Sequence, residues 1–149
     1  MKLRDPRGFT LLELMVVLIV LGTMFAFALP GFLRYAATQN VKGAAANIAG
    51  QLRLARQKAI STGNEQTLHF IYQSGGCDYH IHNANTPIGA KWNLPNGITY
   101  YNPSGGGFYY EYRMAPDGHC KDSGMVIVQN ARGLRDTVSV ELSGLILYQ

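Results

Sequence analysis

An α+β domain, with one long N-terminal helix packed on antiparallel β-sheet, is the fold class this sequence predicts. Two observations carry that expectation. Apolar residues dominate or follow a helical period from Leu14 to about Thr62. Beyond Gly63 the period drops to two, in short runs separated by turn residues. A helix first and strands afterwards argue for segregated elements rather than alternating βαβ units.

The helix opens on Glu13, and from Leu14 to Leu33 the next 20 residues carry no charge. At ~1.5 Å per residue they span ~30 Å, about one bilayer core. A carboxylate costs on the order of 3 kcal/mol near the centre of such a segment and less toward its edge. A nearby opposite charge is therefore expected beside Glu13. Lys2, Arg4 and Arg7 precede it as a short basic leader, which suits positive-inside orientation. No small-residue cleavage site comes after the apolar run, which flows directly into further helix. The expected cut thus falls before the helix, between Gly8 and Phe9, and leaves the apolar segment as the new N-terminus. The organisation read this way is a leader at 1–8, a transmembrane and assembly helix at 9–33, an amphipathic helix at 34–62 and a β-rich head at 63–149.

Pro30-Gly31 is expected to kink or loosen the helix, because proline removes an intrahelical hydrogen bond. Past it, Val41, Ala45, Ile48, Leu52, Ala55 and Ala59 recur at steps of three and four. That spacing draws one apolar stripe for a sheet to cover. Lys42, Asn47, Gln51, Arg53 and Arg56 fall largely outside it, and both arginines read as a solvated face. Ser61-Thr62-Gly63-Asn64 stops the helix, with Gly63 as its left-handed cap.

Alternation from Gln66 to Tyr72 gives the first strand, and Asp78 to Asn83 its hairpin partner. Further strands are expected at Ile98 to Tyr101, Phe108 to Met114, Met125 to Gln129, Thr137 to Leu142 and Leu145 to Tyr148. Pro95-Asn96-Gly97, Ser104 to Gly107, Pro116-Asp117-Gly118 and Arg132-Gly133 supply turns between them. Trp92 reads as an anchor under a loop.

Removing the leader takes three of 13 Lys/Arg and one of nine Asp/Glu, leaving ten basic against eight acidic side chains, a balance of +2. The +4 of the whole chain therefore overstates its basicity. A head of under 90 residues has a limited core and gains from a staple. Cys77 and Cys120 are the candidates for a disulfide, on a side of the membrane where disulfides persist. Closing a loop of ~44 residues would contribute roughly 4 kcal/mol. Two alternatives stand beside it: free thiols, or a zinc site using both cysteines with His80, His82 and His119, although the spacings match no ordinary structural zinc motif. His69 reads only as a strand residue.

Gly8-Phe9-Thr10-Leu11-Leu12-Glu13-Leu14 resembles the prepilin processing signature shared by type IV pilins and type II secretion pseudopilins. The resemblance implies cleavage after Gly8 and N-methylation of Phe9 by a prepilin peptidase. It also implies that Glu13 pairs with the terminal amine of a neighbouring subunit. Leu54-Ala55-Arg56-Gln57-Lys58-Ala59-Ile60, Leu94-Pro95-Asn96-Gly97-Ile98 and Met114-Ala115-Pro116-Asp117-Gly118 are similar to segments of the GspH/FimT group of minor pilins and pseudopilins. Pro30 resembles the proline common in true pilins. These resemblances imply a minor subunit of a type IV pilus, assembled from the inner membrane with its head in the periplasm; the alternative is an H-type type II secretion pseudopilin. Implied partners are other pilin or pseudopilin subunits, the peptidase, an inner-membrane assembly platform and, before assembly, the bilayer.

DNA is a further implied partner, because some members of the group bind it through a C-terminal Gly-Arg-x-Arg motif. Here the matching place reads Ser143-Gly144-Leu145-Ile146-Leu147, with both arginines replaced. Arg132-Gly133-Leu134-Arg135 is the local substitute, offering Arg132 and Arg135 to phosphates. Tyr100, Tyr101, Tyr109, Tyr110 and Tyr112 suit either base stacking or cross-strand packing. No enzyme is expected and no cofactor is called for. Catalytic signatures are lacking in the sequence, and Asp78, Asp117 and Asp122 sit in or near turns, where aspartate serves conformation.

Overall fold

The computed structural model describes residues 9–73, 76–83, 86–87, 91–103 and 109–148, with side chains at all of these except 72–73, 76–78, 86–87 and 109–110. The expected leader with Gly8, the Ser74-Gly75 turn and the Ser104 to Gly107 loop lie outside these residues. The chain divides between Ala36 and Ala37 into two units. Helix α1 (Leu11–Thr62) contributes to both.

The start of α1 is built by Thr10. Its Oγ1 accepts the Glu13 N–H at 3.2 Å, and its carbonyl accepts the Leu14 N–H at 3.1 Å. Thr10-Leu11-Leu12-Glu13 is thus a Thr-x-x-Glu helix start, which satisfies amides that would otherwise lack partners. Helical assignment runs unbroken through Pro30. Losing one intrahelical bond does not end a helix whose neighbouring turns keep theirs, so the expected loosening leaves no gap. Every residue from 9 to 35 is exposed. At the far end, Ser61 and Thr62 hydroxyls donate to the Lys58 carbonyl, and Gly63 takes φ 67°. The left-handed glycine cap is therefore present.

In the second unit α1 buries Val41, Ala44, Ala45, Ile48, Ala49, Leu52, Ala55 and Ala59. Five of these eight are alanine, so strands can approach the helix backbone closely. Two antiparallel sheets share that stripe. The first contains β1 (Gln66–Gln73), β2 (Gly76–Asn83), β3 (Thr86–Pro87), β4 (Trp92–Asn93) and β6 (Tyr109–Met114), in the order β3-β2-β1-β6, with β4 also on β2. The second contains β5 (Ile98–Tyr100), β7 (Gly124–Asn130), β8 (Arg135–Val140) and β9 (Ile146–Tyr148), in the order β5-β7-β8-β9. β3 and β4 hold two residues each, too few to show a period.

Leu68, Phe70, Tyr79, Ile81, Tyr112 and Met114 from the first sheet meet Tyr100, Val126, Val128, Val138, Val140 and Ile146 from the second in one core with the helix stripe. Phe70 sits at its aromatic centre, stacked on Tyr79 and edge-on to Tyr100 and Tyr112, with centroids 5.8–5.9 Å apart. Tyr100 and Tyr112 are thus core residues rather than a stacking platform for a ligand. Trp92 stacks on Tyr79 at 5.9 Å.

One sequence expectation is corrected here. Arg53 and Arg56 are not simply a solvated face. Arg56 Nε donates to the Gly118 carbonyl at 2.8 Å, and Arg53 Nη2 to the Ile146 carbonyl at 3.1 Å. Both tie the helix to backbone that helical periodicity cannot locate. The strand register also bears on the expected disulfide. Cys77 lies opposite Tyr72, whereas Cys120 bridges to Met114, which lies opposite Gln66. Gln66 and Tyr72 are separated by six steps of β1, or ~20 Å at ~3.3 Å each. A disulfide requires Cα atoms within ~7 Å, a separation well below the one this register sets. Cys120 is buried, and burial pushes its ionisation up.

Candidate functional site

The N-terminal unit presents a polar start on an otherwise apolar rod. Phe9 and Glu13 are exposed, and Glu13 stands in the first helical turn. There the unpaired amides and the helix dipole favour a negative charge. The apolar segment beyond it is long enough to cross a membrane, with none of its side chains buried within the chain. Leu11, Leu12, Phe27 and Phe32 are each more than two-thirds exposed. Such a surface has two stable environments, lipid or the apolar helices of other chains. Pro30 lies in the same exposed helix.

The head places the remaining predicted residues apart from one another. Arg132 occupies the β7–β8 turn, where its N–H donates to Asn130 Oδ1 at 2.9 Å. Arg135 begins β8 and lies over the Tyr101 ring at 3.5 Å, with Nε donating to Gln129 Oε1 at 3.3 Å. A guanidinium held on a ring and an amide is committed to the sheet as much as to solvent. His119 sits in an exposed turn beside Asp117, away from the strands that carry His80 and His82. The zinc set built on both cysteines and these three histidines is therefore not assembled.

A different cluster forms on the face of the first sheet opposite the core. His80, His69 and Glu111 lie directly across β2, β1 and β6, and His82 lies one step along, diagonal to His69. Ring centroids are 4.7 Å apart for His69 and His82, and 5.4 Å for His69 and His80. His69 Nε2 is 2.5 Å from Glu111 Oε1. Burial holds the His69 imidazole below its ordinary range; Glu111 opposes that shift, while His82 and His80 reinforce it. Glu111 thus lies in contact with a ring whose charged form burial disfavours. Sequence reasoning sets His69 aside because its partners come from two other strands. The His-x-His spacing of β2 is the available signal, since it puts both rings on one face.

Residues 3–29 match the prokaryotic N-terminal methylation motif. The head's two sheets on a helix also have a counterpart: the minor pseudopilin EpsH from the type 2 secretion system of Vibrio cholerae. The two superpose with a TM-score of 0.55 over 74% of this chain and 96% of that one, at 10% sequence identity. The chain carries the methylation motif and has a fold like that of this pseudopilin. At that identity the likeness concerns the fold, and the motif concerns the N-terminus. Together they describe a chain that joins a methylation-type start to an apolar helix and a two-sheet head. No curated protein sequence gives a significant match.

Proposed function

We propose that the pilin-like chain is a minor, non-catalytic subunit of a helical filament, cleaved after Gly8, N-methylated on Phe9 and inserted from the inner membrane with its head in the periplasm. The observation that carries this reading is the methylation motif leading into a helix on which every residue from 9 to 35 is exposed. In the bilayer that surface faces lipid; in a filament it packs against the same helix of other subunits. A head-to-tail contact that does not close on itself produces an open filament. Glu13 pairs with the terminal amine of a neighbour and so fixes the register between helices that apolar contact alone leaves free to slide. Prepilin peptidase and an inner-membrane assembly platform are the partners this route requires.

Two filaments use such subunits. Pro30 supports a type IV pilus by its resemblance to the pilin proline. The fold likeness to EpsH supports a secretion pseudopilus, and it rests on most of the chain rather than on one residue. We therefore favour the pseudopilus. Deletion in the native host, with complementation, tests the choice: protein export is lost while surface pili persist. Loss of pili with export intact reverses it, and no effect on either removes the filament role.

A further inference from the structure

We propose that the outer face of the first sheet binds one zinc-class transition-metal dication through His69, His82 and Glu111. The three come from adjacent strands, β1, β2 and β6, and their potential ligand atoms already lie within 4.8 Å of one another. Around a tetrahedral ion with bonds of ~2.1 Å, ligand atoms stand ~3.4 Å apart. Side-chain shifts of about an ångström therefore close the site, without moving the strands. Two imidazoles and one carboxylate suit zinc far better than calcium or magnesium, which take oxygen ligands. His80, opposite His69, is placed as a fourth ligand or as the group that orients the first three.

The cluster is built by the fold rather than by chance exposure. His69 is only 13% exposed at its side chain, and His80 is buried on a face that the core does not cover. Sheet register fixes all four relative positions, as a preorganised site requires. The bound ion would tie β2, β1 and β6 together across the sheet. It would provide a staple of the kind the small head is expected to need.

The test uses the processed full-length chain in detergent micelles, stripped of metal by a chelator. Zinc is titrated against a chromogenic competitor, and cobalt(II) is added separately as a spectroscopic probe. The expected results are one equivalent of zinc, a melting temperature raised by zinc, and visible cobalt bands of a tetrahedral nitrogen and oxygen site. His82→Gln and Glu111→Gln should each weaken binding by ~10-fold or more, while metal-free variants melt with metal-free wild type to show that they fold. No saturable binding, or affinity unchanged by both substitutions, overturns the proposal. So does loss of binding after alkylation of the thiols, because the cysteines would then hold the metal. This outcome is independent of the filament role, which it neither requires nor supports.

Discussion

Arg56 on α1 and Gly118 in the β6–β7 connection are joined by a 2.8 Å hydrogen bond from Nε to the carbonyl oxygen. The contact spans 62 residues of sequence and locks the end of the helix to a turn at the margin of both sheets. Gly144 packs into the same place: a Cβ built there would stand 2.2 Å from the Gly118 oxygen and 3.0 Å from Arg56 Nε. Cys120 continues the junction by donating its N–H to the Leu142 carbonyl. Helix, first sheet and second sheet are thus fastened at one point by groups that are mostly backbone.

Removing the guanidinium should loosen that point. Arg56→Ala is expected to cost ~1.5–3 kcal/mol, the range for a hydrogen bond from a charged donor. Melting of the processed chain in detergent should fall by about 5–10 °C. An unchanged melt would show that the contact contributes nothing beyond solvation.

The two positive-φ glycines at 133 and 144 separate backbone strain from crowding. Both have φ 78°, but a Cβ at Gly133 meets nothing within 4 Å. Gly133→Ala should therefore cost only the left-handed penalty, ~1–2 kcal/mol. Gly144→Ala adds an overlap with backbone and should cost ~3 kcal/mol or more. Chemical denaturation of the two variants checks the difference, and equal losses would contradict the close approach.

Acid should weaken the head through Asp122. Its carboxylate receives Arg113 Nε and Nη2 at 2.9 and 2.8 Å and the Arg113 N–H at 3.0 Å. Chiefly through the side-chain bond, Arg113 holds Asp122 below the usual carboxylate range. With a folded value below the unfolded one, the stabilisation is fully present above ~pH 4 and is lost as pH falls through the folded value. Asp122→Asn should lower the melting temperature at pH 7, with the gap to wild type closing as the pH falls through the folded value. A gap independent of pH would locate the effect in packing rather than charge. The effect is modest, because the pair is largely at the surface.

The proposed role of Glu13 between subunits is separable from its place in the helix. Its N–H is capped by Thr10, and this bond survives substitution of the side chain. Glu13→Ala should accordingly leave cleavage and helix content intact while sharply reducing incorporation into filaments. Immunoblots of membrane and sheared-filament fractions give the answer; normal incorporation would refute the assembly role.

The sequence disclosed the parts whose signal is local. The stripe from Val41 to Ala59 is buried as its spacing predicts, and Gly63 takes the capping conformation. Most strands are found within two residues of their expected bounds because alternation and turn glycines mark them. The features that escaped depend on register. His69 meets His82 and Glu111 only when three strands pair in one alignment, and the same alignment parts Cys77 from Cys120. Arg53 and Arg56 carry no periodic mark that distinguishes a tethered arginine from a solvated one. β3 and β4 are too short to leave any pattern.

The central claim is that this chain is a processed, methylated filament subunit, and the intact mass of the protein purified from its native membranes and filaments tests it most directly. The account predicts the mass of Phe9–Gln149 plus one methyl group, recovered in the filament fraction. A full-length, unmethylated chain from cells with a working prepilin peptidase would contradict it and leave a plain membrane anchor in its place.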